Sequence, residues 1–356
     1  MPTFCRHNRF IERCPICSKT LPGHAQQAHP ARPRAATGTP RSAGAAAAPR
    51  TRARREDVHV RRELRAQDDG YRCALVPGLR ATADARRLAG EIAFSAGRLL
   101  ALAAEPPGLY GEVRELAGAD LERATWACFL IAYLSPLQGD DPFAGIRLAL
   151  AAGPDRGAPT GEQGLGALRA LDMEAIPVGP RTCHDPSRGA TVLISYLQWA
   201  QRGDAAAAPG APTGSAGAQA QALTGDPGWS AQRRFERVFE RLALPGFPRH
   251  GRYELLLTLG RLGLYDLRPD ALQLGGAGGL SSSDLTTLAA KRVFAIADPL
   301  LLERRASALA AAAALPVEAL DLALANWSSA ERATLGFAAE VCDEGALQRA
   351  ERALGV

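Results

Sequence analysis

Apolar residues recur with the 3.6-residue period of an amphipathic helix along most of this chain after residue 57. The clearest run covers Thr82–Ala104. Near the other end, Pro316 opens another helical run, and Ser328 and Ser329 are expected to cap the helix that follows it. No segment shows the sustained two-residue alternation of β-branched residues that is typical of strands. The pattern therefore predicts an all-α fold.

The stretch from Trp229 to Arg305 predicts two helices joined by a tight turn. An apolar stripe on the first helix consists of Phe235, Val238, Phe239 and Leu242. Pro245 and Gly246 stop this helix, and a second helical run begins at Arg249. We expect the turn amides and the N-terminus of the second helix to face outward. There they would bind a phosphate oxygen of a nucleic-acid backbone without reading its sequence.

Two other helices are marked by aromatic residues. The first carries Trp126, Phe129, Leu130 and Tyr133 at helical spacing, and Pro136 ends it. The second, predicted at Arg188–Arg202, presents Val192, Tyr196 and Trp199. The simplest interpretation of the first stripe is that it faces the hydrophobic core.

Composition divides the chain into parts. Residues 1–20 predict a zinc knuckle, and residues 21–57 a disordered basic linker, because they hold almost no large apolar side chain. Residues 58–356 predict one helical domain. Within it, the low-complexity residues 203–228 are expected to form a surface insertion.

The N-terminal segment CRHNRFIERCPIC carries four candidate metal ligands. Cys5, His7, Cys14 and Cys17 have the number and type that tetrahedral Zn²⁺ requires. All four positions would be filled by protein, so we expect a structural zinc site without catalytic chemistry. So short a segment would draw its folding energy from the metal. A redox CxxC pair and chance clustering are the alternatives.

Charge is unevenly distributed. Residues 1–66 hold 14 Lys/Arg against 4 Asp/Glu, a net +10, whereas residues 67–356 hold 28 against 33, a net −5. Trp229–Arg305 is a basic island with 12 basic and 8 acidic residues. Two basic regions favour a polyanionic partner such as DNA. The alternative is compositional bias, since 40 of the 42 basic residues are Arg.

Neither a transmembrane segment nor a signal peptide is expected. No run reaches 18 uninterrupted apolar residues, and the N-terminus MPTFCRHNRF lacks an apolar signal core. The seven cysteines do not form the even, spaced set of a disulfide framework. We therefore expect a cytoplasmic protein without a membrane partner.

The loop before the predicted helix at Arg188 concentrates polar groups. Arg181, His184, Asp185 and Arg188 lie within eight residues. A His beside an Asp could act as an acid–base pair, or could hold a phosphate together with the two arginines. The alternative is a helix cap with a surface ion pair.

Several of these segments resemble one enzyme family. They are FCRHNRFIERCPIC, RATWACFLIAYLSPLQGDDPFAGI, GPRTCHDPSRGATVLISYLQWA, GRYELLLTLGRLGLYDLRPDAL, LAAKRVFAIADPLLLERRA and LDLALANW. They resemble the bacterial members of the alpha-glutamyl/putrescinyl thymine pyrophosphorylase family, which is itself similar to helix-hairpin-helix DNA glycosylases. The match covers most of residues 58–330, with the zinc knuckle as an N-terminal extension.

The resemblance implies DNA base chemistry. Phage members of the family are thought to replace a pyrophosphate on 5-hydroxymethyluracil in DNA with an amine such as putrescine or glutamate. The related glycosylases cut the base from the sugar. Either reaction requires a base flipped out of the stack into a pocket.

The hairpin departs from the glycosylase pattern L-P-G-x-G. Its fifth position is Pro248, which has no amide to donate to a phosphate. The DNA-binding candidates are then Gly246, Gly251 and the side chains of Arg249 and Arg252.

The resemblance also implies an aspartate about 20 residues after the hairpin, where Asp266 stands and Asp270 follows closely. Lys291 is a candidate Schiff-base nucleophile or phosphate ligand, and Asp298 is a further catalytic candidate. A helix cap is the alternative role for each aspartate, and a solvated helix face is the alternative for Lys291.

A flipped base would be held by aromatic side chains. The candidates for stacking are Trp126, Tyr133, Tyr196 and Trp199, with His184 and Asp185 at the edge of the pocket. Two hypotheses follow. The first is an enzyme that modifies or excises a modified pyrimidine in DNA, and the second is a non-catalytic DNA-binding adaptor that uses the hairpin and the zinc knuckle.

Overall fold

The computed structural model describes residues 66–152, 161–205, 217–275 and 284–356. Every regular element within these ranges is helical and none is a strand, so the predicted all-α class is confirmed for this part of the chain. The helices are α1 (Thr82–Ala104), α2 (Leu109–Ala117), α3 (Leu121–Leu134), α4 (Ala144–Ala151), α5 (Gly161–Ala170), α6 (Thr191–Ala205), α7 (Ala218–Thr224), α8 (Ala231–Arg241), α9 (Arg249–Arg261), α10 (Leu285–Phe294), α11 (Pro299–Ala312), α12 (Ala319–Ser328) and α13 (Glu344–Leu354).

The helix predicted at Thr82–Ala104 is confirmed with the same bounds as α1. Its sequence is rich in Ala and Leu, which favour helix at little entropic cost. Its apolar residues Leu88, Ile92, Leu99 and Leu102 are buried. α1 packs against α12 and α13. A long helix near the start of the described chain thus contacts the last two helices of the chain.

Two helices, α3 and α9, occupy the centre of the core. Every residue of α3 from Ala124 to Leu134 is buried, and so is every residue of α9 from Gly251 to Leu259. α3 contacts α2, α4, α7 and α9. When a helix is buried on all sides, the polar groups at its ends must find partners within the protein, because water does not reach them.

α8 and α9 form the two helices predicted around the Leu-Pro-Gly turn. Phe235, Val238, Phe239 and Leu242 are all buried, which confirms the apolar stripe. In the turn, Gly246 has φ +84°, a left-handed conformation that glycine adopts without strain. α9 then begins at Arg249, and Pro248 is its N-cap residue.

One prediction about local structure was wrong, and another differs from the structure at the described end of its segment, residues 217–228. The described end of the low-complexity stretch contains α7, whose Leu223 is buried and whose Gln219 side chain donates to the Glu122 side chain and backbone. No helix starts after Ser328 and Ser329, because the segment that follows is held instead by hydrogen bonds between Asn326 and Ala333. The next helix is α13, which Asp343 caps.

Within the described ranges, no helix combines the length and the apolar character that crossing a bilayer requires.

Candidate active site

The loop of residues 179–184 is fixed to the C-terminal end of α3. The amide of Gly179 donates to two carbonyls at the end of α3, and the amide of Cys183 donates to the carbonyl of Tyr133 over 2.8 Å. Carbonyls in the last turn of a helix have no partner within the helix, so the loop satisfies them. This contact holds Arg181 in a set position next to the first turn of α9.

Arg249, the first residue of α9, points into the protein interior. Its side chain is 3% exposed and donates to Asp284 Oδ2 at 2.7 Å, to Asp321 Oδ1 at 2.5 Å and to the carbonyl of Leu272 at 2.7 Å. Asp284 is the N-cap of α10, and Asp321 lies in the first turn of α12. One guanidinium therefore ties together the starts of three helices.

Arg181 completes this network, and we call Arg181, Arg249, Asp284 and Asp321 the arginine–aspartate cluster. Arg181 Nη2 donates to Asp321 Oδ2 at 2.6 Å and to Thr286 Oγ1 at 3.2 Å. Burial alone would raise the pKa of Asp321, but Arg249 and Arg181 outweigh it and hold that pKa well below its ordinary value. The pKa of Asp284 is lowered against the same burial effect, chiefly by Arg249.

A small cavity of about 130 Å³ adjoins the cluster. It is lined by Pro180, Arg181, Thr182, His250, Asp284, Leu285 and Thr286. Among the described residues, two buried polar atoms of this lining have no hydrogen-bond partner, namely Arg181 Nη1 and Asp284 Oδ1. Buried polar atoms are rarely left unpaired, so this wall is suited to a polar ligand or to ordered water.

His250 and Cys183 form a neutral pair beside the small cavity. Cys183 Sγ lies 3.3 Å from His250 Nε2, and His250 Nδ1 lies 4.0 Å from Asp284 Oδ1. Burial, with a further contribution from Arg181, lowers the pKa of His250 to about 4. Burial also raises the pKa of the Cys183 thiol to about 12. At neutral pH the imidazole is thus uncharged and the thiol is protonated, which leaves the sulfur a weak nucleophile.

Gly251 makes this close approach possible. A Cβ atom at residue 251 would lie 2.4 Å from Cys183 Sγ and 2.7 Å from the ring of Phe247. Only glycine lets the first turn of α9 pack this closely on the 179–184 loop. The role of Gly251 in the structure is therefore to bring His250 against Cys183.

A larger cavity of about 750 Å³ lies at the opposite end of α9. Its lining includes Gly260, ten residues after His250 and thus about 15 Å further along the helix axis. Asp266 is also part of its wall. The Asp266 side chain is 73% exposed and accepts a hydrogen bond from the buried Arg234 at 2.9 Å. The larger cavity is therefore a separate place from the arginine–aspartate cluster.

The predicted catalytic residues do not come together. Asp266 lines the larger cavity, whereas His184 and Lys291 line neither cavity. Asp298 caps α11 by accepting from the Leu301 amide at 3.0 Å, which is the alternative role considered for it. Lys291 lies near the C-terminal end of α10, where the helix dipole favours a cation.

His184 and Asp185 do not form an acid–base pair. His184 Nε2 donates to the carbonyl of Met173 at 3.1 Å, so Nδ1 accepts from the Tyr133 hydroxyl, also at 3.1 Å. Asp185 faces solvent and accepts from the amide and hydroxyl of Ser187 and from Arg188. These hydrogen bonds with Ser187 and Arg188 lower the pKa of Asp185. His184 thus anchors the loop in the interior, whereas its neighbour Asp185 caps a turn at the surface.

The sequence predicts that the hairpin binds a phosphate on its outer surface, but the observed positions of its arginines differ from this prediction. Arg249 is enclosed by two carboxylates, and Arg252 is buried, donates to the carbonyl of Phe239 at 3.1 Å and lies over the ring of that residue. Gly251 is also buried, and Gly246 in the turn is partly exposed. In this conformation both guanidiniums are buried and neither is presented to a phosphate at the surface.

The four aromatic residues proposed to stack on a base are part of the core. Trp126, Tyr133, Tyr196 and Trp199 are all buried, and they stack on Phe129 or on one another with ring centroids 3.8–5.7 Å apart. None of the four lines either cavity. Their placement supports the simpler interpretation, which is hydrophobic packing.

The predicted zinc ligands Cys5, His7, Cys14 and Cys17 lie outside the described residues. Within the described ranges no group of three or more His, Cys, Asp or Glu side chains is arranged to hold a metal ion. The structural zinc site therefore stays a prediction from the sequence.

The two aspartates of the cluster and the neighbouring His250–Cys183 pair gave only weak signals in the sequence. Asp321 is a carboxylate within an otherwise apolar helix, LDLALANW, which suggests a buried ion pair without naming its partner. Asp284 stands two residues before the pair Thr286 and Thr287 and matches a helix cap. His250 and Cys183 stand alone in sequence, 67 residues apart. Only the folded chain brings them together.

Comparison of the chain with protein-family models, with curated proteins and with solved structures gives no match. The geometry of the cluster and the motifs of the sequence are therefore what bears on the function of this chain.

Proposed function

We propose that this protein is a DNA base-modifying enzyme of the glycosylase-like alpha-glutamyl/putrescinyl thymine pyrophosphorylase type, acting on a flipped modified pyrimidine. We further propose that the small cavity beside the arginine–aspartate cluster is its active site. One observation carries the proposal: the cluster joins two segments that resemble this family to the first residue of α9 and the N-cap of α10, the helices that carry two more of them. Arg181 and Asp321 belong to two of them, and Arg249 and Asp284 stand within four residues before the other two.

The energetics of the cluster favour a functional role. Moving charged groups out of water is costly, and a buried ion pair is often no better for stability than apolar residues of similar volume. The chain nevertheless buries two arginines and two aspartates beside a cavity. Donors and acceptors that are already held in place, in a site with little water, are what a catalytic or binding pocket uses.

The burial of the hairpin arginines weighs against the non-catalytic adaptor. That hypothesis needs Arg249 and Arg252 to bind phosphates, yet both are buried at the start of α9. The predicted hairpin-type phosphate contact and the zinc knuckle stay in the proposal as secondary DNA contacts. The partly exposed turn at Gly246 and the basic N-terminal residues are the candidates for them.

Mass spectrometry of nucleosides tests the function directly. DNA carrying 5-hydroxymethyl-2′-deoxyuridine, or its pyrophosphorylated form, is incubated with the full chain, with and without putrescine or glutamate. A lost base identifies excision, and a base of altered mass identifies amine transfer. Unchanged DNA under all of these conditions would contradict the proposed activity.

Two matched substitutions locate the chemistry. Asp284→Asn alters the small cavity, and Asp266→Asn alters the larger cavity in the same way. We expect the first to abolish base modification and the second to retain it, with urea unfolding used to verify that both variants fold. The reverse pattern would assign the chemistry to Asp266 and the larger cavity.

A further inference from the structure

A groove of about 310 Å³ lies on the surface of the segment that precedes α1. Its wall is formed by Arg72, Cys73, Ala74, Pro77 and Arg80. Both arginines are exposed. Arg305 of α11 donates from Nη1 to the carbonyl of Ala74 over 3.2 Å, so a third guanidinium lies at the same wall. We call this groove, with Arg72, Arg80 and Arg305, the basic groove.

The segment that forms the basic groove is fixed to the end of α10. The amide of Gly78 donates to the carbonyl of Val293 over 2.9 Å. A Cβ atom at residue 78 would clash with the carbonyl oxygen of Arg292, so only glycine allows this approach. The groove is therefore held beside the last turn of α10, which carries Lys291 and Arg292.

Charge around the basic groove is almost entirely of one sign. Residues 71–80, α10 and α11 carry one acidic residue, Glu303, against six basic residues, namely Arg72, Arg80, Lys291, Arg292, Arg304 and Arg305. The Glu303 carboxylate is directed away from Arg305, since it accepts from two backbone amides within residues 272–274. Asp69, which precedes the groove, accepts from the Thr82 amide over 3.0 Å. The groove is thus a basic surface on a part of the chain, residues 67–356, that holds 28 basic against 33 acidic residues.

The basic groove and the small cavity adjoin the same face of α10. Leu285 and Arg292 are both exposed and stand seven residues apart, so they share one face of the helix. Leu285 also lines the small cavity. This face runs from the small cavity to the basic groove over about 10 Å. That length corresponds to about three successive phosphates of one DNA strand, which favours an extended polyanion over a single small anion.

We infer that the basic groove binds the phosphodiester backbone of double-stranded DNA, with Arg72 and Arg80 donating to phosphate oxygens. Contacts of this kind position a strand without reading its sequence. The site is separate from the hairpin turn at Gly246 and from the N-terminal residues. The phosphate contact is independent of the proposed catalysis, whereas delivery of a base to the small cavity by the same strand rests on the proposed function.

The salt dependence of DNA binding tests the inference. Fluorescence anisotropy with the full chain and a labelled duplex of unmodified bases measures the affinity over a series of salt concentrations. Arg72→Gln with Arg80→Gln removes two phosphate contacts. The slope of log K against log salt should become less steep by about 2, and the affinity should fall roughly a hundredfold at about 0.1 M salt. A duplex of another sequence should lose affinity equally, since the backbone is uniform.

Arg114→Gln with Arg147→Gln is the matched control. Both arginines are exposed, and their replacement changes the net charge by the same amount. Arg147 already pairs with Glu112 and Asp141, so this variant should keep the slope of wild type. Urea unfolding verifies that both variants fold. An unchanged slope in the groove variant overturns the inference, and so does an equal loss in both variants, which would show only an effect of net charge.

Two other anions are separated by the same variant. Inorganic phosphate at constant ionic strength should not displace the duplex. Displacement from wild type that the groove variant lacks would assign the groove to a small anion. Binding to phosphatidylserine vesicles that this variant loses, with its DNA affinity unchanged, would assign the groove to a lipid surface. Either result overturns the inference.

The outcomes for the basic groove and for the proposed function are distinguishable. A less steep slope in the groove variant, without any altered base in the nucleoside assay, keeps the inference and contradicts the proposed catalysis. Altered bases together with an unchanged slope do the reverse.

Discussion

The guanidinium of Arg249 and the carboxylate of Asp321 lie 2.5 Å apart in the interior and join the first turn of α9 to the first turn of α12. The other oxygen of the same carboxylate accepts from Arg181 at 2.6 Å. One aspartate thus pairs with two guanidiniums that are almost fully buried. The fold and the candidate site depend on the same ion pairs.

Removing the charge of Asp321 is expected to destabilise the protein strongly. Asp321→Asn leaves Arg181 and Arg249 with only Asp284 as a counter-charge in a buried place, which should cost about 3–5 kcal/mol. Urea unfolding at pH 7 measures the change. Glu240→Gln is the matched control, because Glu240 pairs with Arg237 at the surface, and it should cost less than about 1 kcal/mol. Equal effects of the two substitutions would contradict the structural role of the cluster.

A methyl group at Gly251 should separate α9 from the 179–184 loop. Gly251→Ala forces a Cβ atom to within 2.4 Å of Cys183 Sγ, and such overpacking costs about 1–3 kcal/mol. Gly90→Ala in α1 is the control, since a Cβ atom there meets nothing within 4 Å. It should instead stabilise the helix by roughly 0.5–1 kcal/mol. Thermal unfolding of both variants gives the comparison, and a loss of stability in each would contradict this account.

The neutral His250 should make stability fall on the acid side of neutrality. Its folded pKa of about 4 lies below the ordinary value of 6.5, so between these values the unfolded chain binds a proton that the folded chain does not. Stability is therefore complete above about pH 6.5 and decreases as the pH falls towards 4. The loss at pH 5 is about 2 kcal/mol.

Urea unfolding of wild type and His250→Gln at pH 7 and pH 5 measures this effect. The variant should lose about 2 kcal/mol less than wild type between these two pH values. Asp284 and Asp321 do not contribute in this window. Their pKa values are lowered from 3.8, so the stability that they add is lost only as the pH falls below about 4. An identical pH dependence in the two proteins would show that folding does not lower the pKa of His250.

Alkylation should distinguish the cysteines of the helical part. Burial raises the pKa of Cys183 to about 12, whereas Cys342 is exposed. At pH 8 we expect iodoacetamide to modify Cys342 at least about tenfold faster than Cys183, because only the thiolate reacts. Peptide mass spectrometry follows both sites, and the difference should vanish in urea. Faster reaction at Cys183 would indicate that His250 activates the thiol.

The N-terminal segment should carry one zinc ion per chain. Elemental analysis of the purified protein measures the metal, and Cys14→Ser with Cys17→Ser should remove it. Replacing Cys73 and Cys342, which belong to the helical part, serves as the control and should leave the zinc content unchanged. Retention of zinc in the first variant would exclude the predicted ligand set.

Local sequence was sufficient to predict the main helices. The period of apolar residues gave Thr82–Ala104 with its bounds and the buried stripe of α8, and Pro245 with Gly246 gave the turn that follows. These signals act over one or two helical turns, because they reflect backbone preferences and the need to bury one face. The all-α class follows from them directly.

Tertiary packing alone decided where the charged residues lie. Arg249 follows a proline at the start of a basic helix, which suggested an outward phosphate contact, yet burial of α9 turned it towards Asp284 and Asp321. A buried guanidinium needs carboxylates from other helices, and no pattern within one helix specifies those partners. For the same reason Cys183 and His250 meet only in the folded chain, whereas the helices that carry them were already determined by the sequence.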